Sequence, residues 1–244
     1  LVMSAVFLEL AVIGTAQVRR LGERLERDGG VPPDEPTPGD AIQGFVQVVK
    51  SPYLLGIVAY VLLTATAATF VYMEQAALVE ATLPDRVERT ELFASIDLWS
   101  QVCVFVVQTL IATRLIAWFG PGIVLALLPI AQAVGITALA SAPAIATLVA
   151  VQIVTRTFTH GLARPARELL FTVVSRDEKY RAKNVIDVVG YRLGDFGSSW
   201  LHQGLKALGL GSAALIAAMA PIAAVWIGIA ILLGIGYRKR VPER

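Results

Sequence analysis

Cysteine and histidine are almost missing from this sequence. A single cysteine, Cys103, and two histidines, His160 and His202, among 244 residues exclude an internal disulfide and leave too few ligands for a zinc cluster. Charge is also scarce: Asp, Glu, Lys and Arg make up 16% of the chain, against about a quarter in a soluble domain. No nucleophile–base pair stands out. There is no glycine-rich phosphate loop either, since "GPG" at 120–122 is too short for one. The sequence does not read as an enzyme and requires no cofactor.

What fills the chain instead is apolar. Hydrophobic residues account for 56% of it, and they fall in long runs with charge collected in the gaps. A bilayer span needs roughly 20 mostly apolar residues. Six such runs follow one another at about 53–73, 92–114, 120–141, 144–164, 184–206 and 212–237. Ahead of them, residues 1–18 form a further apolar run without the basic start or cleavage site of a signal peptide, and read as part of a membrane helix. Residues 19–51 are charged, then rich in proline and glycine, which makes a solvated linker. "RPARELLFTVVSRDEKYRAK" (164–183) reads as an extension of the fourth run, broken or kinked near Pro165. Residues 238–244 form a basic tail.

Lys and Arg alternate sides in step with these runs. The linker, the 164–183 segment and the tail are basic, whereas "SAPA" (141–144) has no charge and the loop before residue 92 balances Arg86 and Arg89 with acids. The positive-inside rule then places the linker 19–51, the 164–183 segment and the C-terminus in the cytoplasm.

One run is unusual. In "NVIDVVGYRLGDFGSSWLHQG" (184–204), a helical projection at 100° per residue lines up Asn184, Asp187, Tyr191, Asp195, Ser198 and His202, with Arg192 flanking them. Val189, Leu193, Phe196 and Trp200 fall on the other side, as do Gly190, Gly197 and Gly204, with Gly194 near the edge. Small residues so placed allow close packing of a neighbouring helix. A charge facing lipid costs at least ~2.5–3.5 kcal/mol, so the polar stripe faces protein, water or ligand. It is either a structural ion pair between helices or the wall of a polar pathway, and its length favours the pathway. On 144–164, Gln152, Arg156, Thr159 and His160 share a face, with Arg156 either part of the same pathway or snorkelling outward. Asp97 and Gln101 either line that cavity or sit at the outer interface. On 53–73, Tyr60, Thr64 and Thr69 read as packing residues and Glu74 as a solvated helix end.

The segment 164–195, with Arg164, Pro165, Arg167, Glu168, Lys183, Asp187, Arg192 and Asp195 over about thirty residues, resembles a signature of the ATP/ADP translocase-like nucleotide transporters of the major facilitator superfamily. The resemblance implies an all-α, polytopic membrane protein: a six-helix C-terminal transporter half (52–237) preceded by one partial helix (1–18) and a central linker (19–51). It implies a second, N-terminal six-helix half that this sequence lacks. The loop "TRLIAWFGPG" departs from the superfamily pattern, keeping Gly120 but lacking the usual aspartate and basic pair.

The function expected is alternating-access transport in the inner membrane of an organic or phosphorylated anion such as ATP or ADP. The alternative is proton-coupled transport of another small solute, with Asp187, Asp195 or His202 carrying the proton. Arg156, His160, Asp187, Tyr191, Arg192, Asp195 and His202 are the pathway candidates. Arg164, Arg167, Lys179 and Lys183 would gather anions at the cytoplasmic mouth, and Lys206 could sit near the outer one. The aspartates would pair with Arg192, Lys183 or a base from the absent half. The implied partners are the small anion, the lipid bilayer and that half, with no nucleic-acid polymer and no metal.

Overall fold

The computed structural model describes residues 9, 12, 14, 15, 17, 45, 46, 48–186, 190, 192–194, 196, 197, 200, 204 and 212–241; they are helical apart from short joins, and no strand occurs among them. The chain divides into two units, Leu1–Asp40 and Ala41–Arg244. In the first, the described positions are helical and the Thr15 hydroxyl donates to the Val12 carbonyl at 3.0 Å.

The second unit begins its main bundle with α1, Pro52–Thr82. Ser51 caps it by accepting from the Leu54 N–H at 3.4 Å, and Pro52 occupies the first turn, where a missing N–H costs nothing. The helix runs well past the expected end at 73, because "MEQAALVEA" is built of strong helix formers. At 31 residues it is about 46 Å long, more than the ~30 Å hydrocarbon layer requires.

Helix α2, Arg86–Val106, is capped by Asp85, whose carboxylate accepts from the Val87 N–H at 3.1 Å. It starts before the expected 92 and passes through a π-helical segment, Val107–Ala112, into α3, Thr113–Ser141. Together these form a 56-residue run of about 84 Å if straight. Gly120 interrupts it at φ 79°, ψ 165°, a conformation that glycine adopts without steric cost. The expected loop thus shrinks to a one-residue kink followed by Pro121.

Helix α4, Ile145–Thr157, passes through a second π-helical segment, Phe158–Ala163, into α5, Arg164–Leu170. Of the break or kink expected near Pro165, the break does not occur: Ala163 and Arg164 keep helical angles, and the Arg164 N–H donates to the Thr159 carbonyl five residues back. The hydrogen-bond register has already widened when the proline arrives, so its missing N–H falls at the change of register. A 3-10 turn, Phe171–Val173, leads to α6, Arg176–Val185, opened by a capping box between Ser175 and Glu178. Described positions from 186 to 204 are helical, and α7, Ser212–Arg240, ends the bundle.

Among the described residues, three stretches are long and apolar enough to cross a membrane: Pro52–Thr82, Arg86–Ser141 and Pro221–Arg240. Their outward faces carry large apolar side chains, such as Phe105 (71% exposed) and Trp118 (73%). A soluble monomer rarely shows an apolar surface of that extent, and a bilayer removes its cost.

The tightest packing is between α3 and α7. A Cβ added to Gly122 would lie 2.5 Å from the Cα of Gly234, and one on Gly234 would lie 2.6 Å from the Cα of Gly122. The two backbones touch, as small residues permit in membrane bundles. Beside this crossing, one end of the bundle is tied together by polar contacts. The Tyr53 hydroxyl donates to the Leu170 carbonyl at 3.0 Å, the Arg240 guanidinium stacks 4.2 Å from the Tyr53 ring centre, and Arg238 reaches the Phe119 carbonyl at 3.5 Å. The start of α1, the kink, the end of α5 and the basic tail therefore meet.

Gly190 and Gly194 are buried against α1. A Cβ on Gly194 would fall 2.5 Å from that of Ala65, and one on Gly190 would fall 3.0 Å from Val61 Cγ1. Gly197 and Gly204 instead face open space. The close contact uses the Gly190–Gly194 pair and not the seven-residue series expected.

Candidate functional site

Between α1, α3, α4 and α7 lies a cavity of about 350 Å³. Its wall is largely apolar but gathers several polar side chains. Helix α1 contributes Thr64, Thr69 and Gln75. Helix α3 contributes Gln132, and α4 Gln152, Thr155 and Arg156. The second π segment adds Thr159 and His160, while Trp226 closes the side formed by α7.

The π segment helps to build this wall. Its wider turn places Thr159 and His160 on the cavity, while Gly161 packs on the other π segment, where an added Cβ would meet Val107 Cγ1 at 3.2 Å. Such single π turns often mark functional positions in helices.

A second, much smaller cavity shares Thr64, Thr159 and His160 with the first and is also lined by Tyr60, Arg164 and Arg167. The shared residues make the two spaces neighbours. A row of basic side chains, Arg156, His160, Arg164 and Arg167, follows them. Arg167 is only 6% exposed. It lies on the wall of the smaller cavity.

The remaining polar groups are anchored. Gln152 Nε2 donates to Gln75 Oε1 in a buried contact joining α4 to α1, and Gln132 Nε2 donates to the Ala67 carbonyl at 3.2 Å. Thr64, Thr155 and Thr159 each donate to the carbonyl four residues back, at 2.8, 2.8 and 2.7 Å. Their hydroxyl protons are committed to the helix, which leaves oxygen lone pairs as acceptors. Trp226 stands edge-on to Tyr60, with ring centres 5.7 Å apart. Its indole N–H is buried and meets no acceptor among the described residues.

Several expected residues stand elsewhere. Arg156 forms an ion pair with Asp97 of α2. Asp97 therefore acts on the cavity through Arg156, while Gln101 is exposed and stays off its wall. Lys183 pairs with Glu168 at 2.7 Å, a partner not expected for it, and neither Lys183 nor Lys179 lines either cavity. Arg192 is exposed on its helix. Asp187, Tyr191, Asp195, Ser198, His202 and Lys206, and the side chains of Glu74 and Asn184, lie outside the described residues. Among the described residues, no group of three or more His, Cys, Asp and Glu side chains could hold a metal ion.

Sequence reasoning took Thr64 and Thr69 for packing residues and overlooked Gln132 and Trp226. Gln132 did leave a signal, as a lone amide in the apolar run 121–141.

Residues 125–237 match the family model described as TLC ATP/ADP transporter. Over that stretch the chain is similar to the ATP/ADP translocase-like transporters. The match takes in Gln132, all of α4 and α5, and Trp226, but stops short of the Thr64–Gln75 face of α1. No curated protein and no solved structure matches the chain.

Proposed function

We propose that the chain is the substrate-binding half of a secondary transporter that exchanges nucleotides such as ATP and ADP by alternating access. The observation that carries this reading is the row Arg156, His160, Arg164 and Arg167 beside two adjoining cavities. A polyphosphate needs cationic donors along its path, and guanidinium groups meet phosphate oxygens with paired N–H bonds. Charges at this depth are costly in a bilayer, and a hydrated anion path gives them a use.

Six membrane crossings fit the geometry when the run Arg86–Ser141 crosses twice, turning at Gly120. The end where Tyr53, Phe119, Leu170 and Arg240 meet is then the cytoplasmic end in the inner membrane, in accord with the alternation of basic residues. Alternating access requires the packed surface of this half to rock against a second six-helix half, which would complete the site. Asp97 pairs with Arg156, and the arriving phosphate takes its place.

The test is counterflow in proteoliposomes of the purified full-length protein. Labelled ATP is expected to exchange for internal ADP and to keep doing so when the proton gradient is collapsed. Uptake that disappears with the gradient favours a proton-coupled carrier of another solute and contradicts this reading.

A further inference from the structure

Resting on that reading, we infer that the Gln75–Gln152 amide pair recognises the nucleobase, so that the substrate lies with its base between α1 and α4 and its phosphates toward Arg164 and Arg167. The pair joins two helices inside the larger cavity, with Gln75 1% and Gln152 6% exposed. Each amide carries one carbonyl and one NH2 group. Their mutual hydrogen bond uses one donor and one acceptor, so a carbonyl oxygen and amide hydrogens remain. This holds whichever way round the amides are assigned.

That remainder is the complement of an adenine edge, on which a donor amino group stands beside a ring-nitrogen acceptor. Glutamine reads such an edge with two bonds, and guanine offers two acceptors at the same place. The surrounding wall agrees. Thr64, Thr155 and Thr159 present acceptor oxygens, which suit amino and ribose hydroxyl donors and repel phosphate. Trp226 adds an aromatic surface and a buried indole N–H lacking an acceptor among the described residues; aromatic faces favour bases whatever their identity. Arg156 stands in the larger cavity beside the glutamines and begins the arginine row, which continues as Arg164 and Arg167 in the smaller cavity, where no glutamine stands.

Competition of unlabelled nucleotides against labelled ATP exchange, in the full-length protein, separates base from phosphate recognition. The native protein is expected to prefer ATP over GTP. Gln152→Leu and, separately, Gln75→Leu should shrink that preference roughly tenfold, the scale of one lost bidentate contact, while leaving the ATP-to-AMP ratio within about threefold. Gln152→Asn, which keeps the amide but shortens its reach, should fall between and guards against loss of folding in the leucine variants. Equal loss for every base, a shift in the phosphate series instead, or no base preference in the native protein each overturns the assignment. If nucleotides compete for no exchange in the native protein, the transport reading falls with it. If they compete but the variants keep the native base preference, only the base assignment falls.

Discussion

The α3–α7 seam and the α1–α4 cavity are built from similar apolar runs, yet they do opposite things. At the seam, Gly122 and Gly234 bring two backbones into contact and leave no room for a polar side chain. At the cavity, Gln132 bonds across to the α1 backbone and Gln152 bonds across to Gln75, so the helices are joined by polar contacts around an open space. In a bilayer, apolar side chains gain little by leaving lipid for protein, so contact distance and hydrogen bonding decide which helices associate. The seam uses the first and gives rigidity. The cavity uses the second and leaves a space between helices.

Substitutions can break this contrast. The largest expected effect is at the seam. Gly122→Leu should abolish recovery of folded protein, because even a methyl would overlap the Gly234 backbone, and Gly122→Ala should cost about 1–3 kcal/mol. Gly228→Ala on the same helix α7 meets open space and should leave the melting temperature in detergent unchanged. Equal melting for the two alanine variants would remove the seam's special status.

Next comes the cavity. Arg156→Ala should lower nucleotide exchange at least tenfold with normal membrane insertion, while the melting temperature shifts little, since Arg156 and Asp97 are partly open to solvent and such pairs contribute about 0–1 kcal/mol. Asp97→Asn should do the reverse of a loss: it releases Arg156 and should tighten nucleotide binding a few-fold in a binding titration. The smallest effect belongs to Lys183→Ala. It breaks the partly exposed pair with Glu168 away from both cavities, and should change stability by less than about 1 kcal/mol and leave base preference alone.

Much of the bundle was legible from composition because spans are set by bilayer thickness, which apolar run length records directly. The shared face of Gln152, Arg156, Thr159 and His160 was also legible, since one helix holds all of them at regular spacing. Contacts between helices were not. Nothing local to Arg156 announces Asp97, which lies 59 residues away, and nothing near Lys183 selects Glu168 over Asp187. Thr64 and Thr69 read as packing residues because their role depends on Gln132 and Gln152 arriving opposite. The break expected at Pro165 failed for a related reason: the π segment before it changes the backbone register that the proline would have disrupted. The polar stripe of 184–204 falls mostly outside the described residues, and the wall of the proposed pathway is formed by α4 and its π segment.

Water access to the cavity wall tests that pathway most directly. In a Cys103→Ser background, Thr159→Cys should react with a small, charged, water-soluble thiol reagent, and saturating ATP should slow the reaction at least several-fold. A Thr159→Cys that is as inert as a cysteine placed at the lipid-facing Phe105, with and without ATP, would contradict the account.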